Sequence, residues 1–336
     1  MPLRPFPNWL NSMNTGRTIY GIGEALLDVI FKNKQPIGAT AGGSTLNAIV
    51  SLGRMDYQPF LISEIGNDRI GDIIDDFLLK NGVSDRYLYR REDSRSPLAL
   101  AFLNENNDAE YEIFKDYAAQ TLHEEMPPFT ADDIVTFGSF YSINPAFRPQ
   151  LLKYLQRAKA AGALLVYDPN YRNHHAHKRE QMQAALEENF ALADVVRGSN
   201  EDFQNIYGLQ RVEDVAERLH RFSKHIIITA NAKGSYVSTP NGAAWYPAVP
   251  LQAVSTIGAG DNFNAGIIHG LLAGRIGRKE LEGGLSNEQW AGIIASATVF
   301  ATEVCQLSDN YVAADFKERI DEAIKTYLTK HLSGHI

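Results

Sequence analysis

Gly258-Ala259-Gly260-Asp261 is the stretch whose residue types and order best suit chemistry on an anion. It follows the turn-like Ser255-Thr256 and precedes an apolar helical pattern over Asn262–Leu272. Its backbone N–H groups therefore fall at a helix N-terminus, where no intrahelical acceptor reaches them. Such groups bind phosphate, and small residues let a phosphoryl oxygen approach the main chain. Asp261 stands beside them. With an ordinary carboxyl pKa of about 3.9 it is ionised at neutral pH and can accept a hydroxyl proton. The plainer reading is a glycine-rich turn with Asp261 as a favourable charge at a helix start.

A second cluster, Ala41-Gly42-Gly43-Ser44-Thr45-Leu46-Asn47-Ala48, opens a helical run that ends near Leu52-Gly53-Arg54. Adjacent glycines let the backbone close on a ligand, and Asn47 falls one turn into the helix. Mixed donors and acceptors of this kind suit a polyhydroxylated ligand. A flexible turn with Ser44 as N-cap explains the same residues equally well.

Other motifs lead nowhere. Gly21-Ile22-Gly23 begins like a dinucleotide fingerprint, but Leu26 stands at its third glycine position. No glycine-rich stretch ends in Lys-Ser or Lys-Thr, which excludes a P-loop kinase. His174-His175-Ala176-His177 lies in a polar, basic segment without paired Cys or acidic ligands and reads as a solvated helix start. Cys305 is the single cysteine, so it has no intrachain disulfide partner and points to a reducing compartment.

Elements must carry these residues to one place. Ile19–Ile22, Phe60–Ile65, Ile134–Phe137, Leu164–Tyr167, Val195–Arg197 and Ile226–Thr229 are short apolar runs, as expected of strands buried on both faces. Leu151–Ala161, Gln181–Leu192 and Val212–Phe222 are amphipathic and long enough for crossover helices. The alternation predicts an α/β fold with a mainly parallel central sheet flanked by helices on both faces. Ligands in such sheets collect at the carboxyl ends of strands, where Asp28, Asp168, Asn200 and Gly258–Asp261 fall. Leu98–Leu103 and Ala109–Phe114 break the alternation and read as a hairpin across Asn104–Asp108. With Phe31–Ala39 they would form a small sheet, either a lid or an ordinary edge.

The net charge of −8 over 336 residues gives no reason to expect nucleic acid or an anionic membrane as partner. No apolar run approaches the roughly 20 residues needed to span a bilayer. Residues 1–17 carry three prolines and no signal-like run, and read as a loose arm before one domain over 18–336. A soluble cytoplasmic protein with a small-molecule partner is expected.

Taken together, Gly42-Gly43 with Asn47 and the Gly258–Asp261 stretch resemble the two signature regions of the ribokinase-like PfkB family of carbohydrate kinases. Gly66-Asn67-Asp68 is similar to its Gly-x-Asp, Thr229 and Gly234 to its nucleotide-side Thr and Gly, and Asn200 to the Asn of its Asn-x-x-Glu element. The resemblance implies a ribokinase-like fold with a small β-sheet lid, its segments near 31–41 and 95–117. It implies transfer of the γ-phosphate of ATP to a sugar hydroxyl, with Asp261 as base and Gly258, Ala259 and Gly260 as anion hole. Asp28, Gly42, Gly43, Asn47 and Arg172 would bind the sugar, and Asn200, Thr229 and Gly234 the ATP. Mg²⁺ would come with ATP, with no protein metal cluster. Gly23–Asp28, Asp168-Pro169-Asn170-Tyr171-Arg172 and Tyr111–Ala119 resemble fructokinases most, so fructose is the first acceptor. A 2-keto-3-deoxygluconate kinase is the alternative, since Arg172 or Lys115 could meet a carboxylate. A nucleoside kinase and a non-catalytic sugar sensor are further readings. Apolar lid positions such as Leu98, Leu100 and Phe102 would need covering, which a homodimer through the lid would do.

The chain departs from that family's pattern at four places. Ser255 stands where an Asp usually helps hold a monovalent cation, and Ala301–Asn310 lacks the Gly-Ala expected near Cys305, so activity insensitive to K⁺ is predicted. Phe203 occupies the position of the Glu in Asn-x-x-Glu, leaving Glu201 or Asp202 as substitutes. Asn231 replaces a glycine near Thr229.

Overall fold

The computed structural model describes residues 16–105, 109–115, 125–171 and 179–332. Arg172, the three histidines at 174, 175 and 177, and part of the Asn104–Asp108 linker lie outside them. Nine strands form the main sheet: β1 (Ile19–Ile22), β4 (Phe60–Gly66), β5 (Leu88–Arg91), β8 (Ile134–Gly138), β9 (Leu164–Asp168), β10 (Val195–Ser199), β11 (His225–Thr229), β12 (Ser235–Thr239) and β13 (Gly242–Tyr246). Their order is β13-β12-β11-β10-β9-β8-β1-β4-β5. The strands from β11 to β5 run parallel, while β12 and β13 add an antiparallel edge.

Alternate residues of these strands face opposite layers, which is why the runs read as continuously apolar. Ile19, Ile134, Leu164 and Ile227 enter one buried cluster, while Tyr20, Val135, Leu165 and Ile226 enter the other. Over the first cluster lie α1 (Ser44–Arg54), α7 (Ala259–Ala273), α9 (Asn287–Cys305) and α10 (Ile320–His331). α3 (Arg148–Ala161), α4 (Arg179–Leu192), α5 (Asn200–Tyr207) and α6 (Val212–Leu219) cover the second. α2 (Arg69–Lys80) and the short α8 (Arg278–Gly283) complete the α-helices among the described residues. α7 is buried all round from Asp261 to Leu272, so its sequence is apolar without a polar face and its first turn is held rigidly.

A second, four-stranded sheet has the order β3-β2-β6-β7, with β2 (Leu26–Lys32), β3 (Gln35–Gly42), β6 (Leu98–Leu103) and β7 (Ala109–Phe114). β6 and β7 pair antiparallel over the residues expected of the hairpin. The segment expected at Phe31–Ala39 is two strands. Asn33 and Lys34 both take positive φ, 52° and 63°, and turn the chain between them. β2 begins at Leu26, so Asp28 belongs to this second sheet, paired with Thr40 on one side and Ala99 on the other. Arg17, grouped with the arm by composition, donates Nε to Asp132 O at 2.7 Å and Nη1 to Ile276 O at 2.9 Å.

Candidate active site

The site forms where α1 and α7 point their N-termini at the carboxyl ends of the parallel strands. Gly43, not Ser44, is the N-cap of α1, with φ 130° and ψ 138°. A Cβ there would lie 2.2 Å from Glu24 O, so the chain can leave β3 at this angle only through glycine. The shift by one residue frees Ser44 from capping. Its Oγ donates instead to Asp261 Oδ1 at 2.6 Å, and Asn47 Nδ2, one turn on, donates to Asp261 Oδ2 at 2.8 Å. Asp261 is buried and both of its carboxylate oxygens are held from α1. Asn47 Oδ1 is buried without a hydrogen-bond partner among the described residues, which leaves an acceptor for a ligand hydroxyl.

Gly258 caps α7 in the left-handed region, φ 78° and ψ −8°, with its Cα side against Asn310. The N–H groups of Gly258 and Gly260 meet no backbone acceptor among the described residues, whereas Ala259 N reaches Thr256 O at 3.3 Å. Ala259 is thus partly engaged by its own turn. Asn262 holds the turn in shape: its Nδ2 donates to Gly258 O at 2.8 Å and Asn310 O at 2.7 Å, and its Oδ1 accepts from Ser51 Oγ at 2.5 Å. Ser51 Oγ also accepts from Val312 N at 3.1 Å, joining α1, α7 and the segment after α9.

Asp28 is 9% exposed, and its Oδ2 lies 2.1 Å from where a Cβ on Gly42 would stand. Burial, aided by the Glu24 charge, pushes its carboxyl up to about 7. Glu24 itself pairs with Lys115 at 2.5 Å. Gly42, Gly43, Asn47, Asp28 and Asp261 are therefore linked through direct neighbours, while Arg172 lies outside the described residues.

On the other side of α7, Thr229 ends β11 and accepts from Arg197 Nη2 at 2.7 Å. Gly234 has φ 94°, and a Cβ there would be 2.0 Å from Tyr246 O, so it is needed to pack the turn against β13. Asn231 has φ 49°, a conformation that glycine prefers and asparagine tolerates, which explains how it can stand in for a glycine. Asn200 is the first residue of α5; the cap is Ser199, whose N and Oγ donate to Asp202 Oδ2, each at 2.7 Å. The acidic residue with three-residue spacing from the cap is therefore Asp202. Its carboxyl is raised by burial and by the Asp168 charge. Phe203 is fully buried under Gly198 and is a core residue. Asp168 is held by Arg197 Nη1 at 2.8 Å and Asn264 Nδ2 at 2.6 Å. Among the described residues no three His, Cys, Asp or Glu side chains converge as metal ligands. No helix there is long and apolar enough to cross a membrane.

Sequence reading missed Ser44 as a partner of Asp261, Asn262 as the clamp on the turn, and Arg197. Only Arg197 gave a signal: a charge in an apolar strand is rarely buried without a task.

A carboxylate fixed beside unpaired N–H groups at a helix N-terminus, at the strand ends of a mainly parallel α/β sheet, is the arrangement a phosphotransferase acting on a hydroxyl needs. The model of the pfkB family carbohydrate kinase matches residues 19–309, and the chain belongs to that family. It is a sugar kinase. It is 25% identical over 259 residues to a fructokinase of Klebsiella pneumoniae, covering 76% of this chain and 84% of that one. A fructokinase-1 of Zea mays is 27% identical over 245 residues, covering 69% and 73%. Among solved structures, the fructokinase of Vibrio cholerae O395 with fructose, ADP and calcium ion superposes with a TM-score of 0.78 at 21% identity, covering 90% and 96%. An aminoimidazole riboside kinase of Salmonella enterica also gives 0.78 at 21% identity, covering 92% and 100%.

Proposed function

We propose that this kinase transfers the γ-phosphate of ATP to a hydroxyl of a neutral ketose, fructose first. The observation that carries the mechanism is Asp261, held through both oxygens by Ser44 and Asn47 in the first turn of α7. So oriented, the carboxylate takes the proton of the attacking hydroxyl, and the Gly258 and Gly260 N–H groups, with Ala259 contributing less, receive the phosphoryl oxygens. Asp28, Gly42, Gly43 and Asn47 hold the sugar; Thr229 and the α5 cap face the nucleotide, with Gly234 shaping the turn beside it. Bound Mg²⁺ supplies charge neutralisation on the phosphates. Asp168 and Asp202 are already engaged by protein donors, so such an ion fits best as one carried by phosphate oxygens and water.

Two points support a neutral acceptor. The named relatives are fructokinases. Lys115, one of the two cations available for a sugar acid, is already committed to Glu24, next to the buried Asp28. ADP release with fructose, 2-keto-3-deoxygluconate, ribose and adenosine as acceptors tests the assignment. Fructose should give the highest kcat/KM; a higher value for the sugar acid or a nucleoside overturns it, and no turnover with any leaves the sensor reading.

The four-stranded sheet serves as the lid of this domain. Leu98, Leu100 and Phe102, expected to need covering, are half-buried within the sheet, with Phe102 stacked on Phe31 at 5.0 Å. The exposed apolar residues are Ile37 on β3 and Ile113 and Phe114 on β7, so a homodimer through the lid would cover these instead, which light scattering would detect. The K⁺-free reading is supported by Cys305 O, which already accepts from Val254 N at 2.8 Å and Ser255 N at 3.4 Å.

A further inference from the structure

Arg197 is the one charged residue of β10, and it lies directly behind the anion-binding turn. It is 5% exposed. Nη1 donates to Asp168 Oδ2 at 2.8 Å and Nη2 to Thr229 Oγ1 at 2.7 Å, while Nε is buried without a partner among the described residues. The guanidinium carbon stands 5.4 Å from the centre of the Phe263 ring, in the first turns of α7. A Cβ built on Gly260 would come within 3.0 Å of Nη1 and 3.3 Å of Nη2. The guanidinium thus fills the space that Gly260 leaves by having no side chain.

A buried cation sits beside the positive end of a helix dipole, paired with the Asp168 carboxylate and within electrostatic reach of Asp202. The Asp168 carboxylate is shared with Asn264 of α7. An anion at the helix N-terminus is attracted by both the dipole and the guanidinium, most strongly when charge spreads over the transferred group. The contacts also tie three strand ends, those of β9, β10 and β11, to the catalytic helix through one side chain.

We propose that Arg197 is a positioning residue for phosphoryl transfer: from behind Gly260 it sets the anion hole against the nucleotide-side strand and adds positive potential there. The proposal rests on the kinase mechanism given above. It does not depend on which sugar is the acceptor, because the test uses whichever sugar the wild-type protein turns over.

Arg197→Met would leave Asp168 buried without its cation, so the double variant Arg197→Met/Asp168→Asn is measured beside it. Both should lose about 10²-fold in kcat, with KM for sugar and ATP within about threefold of wild type. Arg197→Lys, which keeps the charge but not the fork, should fall between. Affinity for ADP with aluminium fluoride in the presence of sugar should fall at least about tenfold more than affinity for ADP alone. A structural brace for Asp168 would give a different result. If the double variant, or a folded Arg197→Met, turns over within about threefold of wild type, the proposal is wrong. Equal losses for ADP and its aluminium fluoride complex would overturn it too.

Discussion

Asn47 and Asp261 stand 214 positions apart in the chain, and Nδ2 of the first donates to Oδ2 of the second at 2.8 Å. Each lies in the opening turns of its own helix, and Ser44 adds a bond of 2.6 Å to the other oxygen. The carboxylate is thereby held in one orientation before substrate arrives, and holding reacting groups in place is most of what a phosphoryl transfer asks of a protein.

Asp261→Asn removes the proposed base and keeps the shape of the side chain. Turnover should fall by about 10² to 10⁴ while sugar affinity, measured by calorimetry, stays within about threefold. A variant retaining activity within about tenfold of wild type would rule out Asp261 as the base.

Gly42 and Gly43 should answer differently to alanine. At Gly42 the new methyl meets Asp28 Oδ2, so the carboxylate is displaced and the sugar KM should rise at least about tenfold with kcat largely kept. At Gly43 it meets the Glu24 carbonyl at a φ of 130°, so Gly43→Ala should lose at least about 1–3 kcal/mol in urea unfolding. Equal KM effects and equal stabilities would contradict this division.

With Asp28 proposed as a sugar ligand, sugar binding is predicted to depend on pH. Its carboxyl is pushed up to about 7, chiefly by burial, so as the pH drops through neutrality it gains a proton, exchanges one charged acceptor oxygen for an O–H donor and accepts more weakly from sugar hydroxyls. KM for the sugar should rise below about pH 7, and Asp28→Asn should have a flat profile. For stability the sign is the opposite of a salt-bridged acid. The folded pKa exceeds the unfolded one, so the contribution is full below the ordinary carboxyl value of 3.8 and is lost as the pH rises to about 7. Denaturant midpoints of wild type and Asp28→Asn across that range would show it.

Replacing a bulky organic cation with K⁺ should change the rate by less than about twofold, because Ser255 supplies no carboxylate and Cys305 O is bonded to two N–H groups. A strong rise with K⁺ would refute this.

Phe203→Glu restores the residue expected by resemblance but places a carboxylate in a fully buried site. It should cost about 3 kcal/mol or more and gain no activity. A stable variant with a higher kcat would return position 203 to the nucleotide site.

The strands and the second-sheet hairpin were legible because burial on both faces and turn residues leave local patterns: β6 and β7 span the residues expected of them. The Gly258–Asp261 turn was legible because glycine spacing before an apolar helix is also a local signal. The N-cap of α1 was harder. Ser44 is a good capping residue, yet the sharp exit from β3 against Glu24 O put Gly43 there and released Ser44 to Asp261. The same one-residue ambiguity placed the α5 cap at Ser199 and its acid at Asp202.

By itself the sequence determined most strands of the parallel sheet, the second-sheet hairpin, the glycine turn that opens α7 and the carboxylate beside it. Only the tertiary structure decided that Ser44 and Asn47 orient that carboxylate, that Asp28 is raised by burial, that Lys115 is already paired and that Arg197 backs Gly260. Those facts depend on distances between segments far apart in the chain, and on the loss of water around them, neither of which residue order expresses.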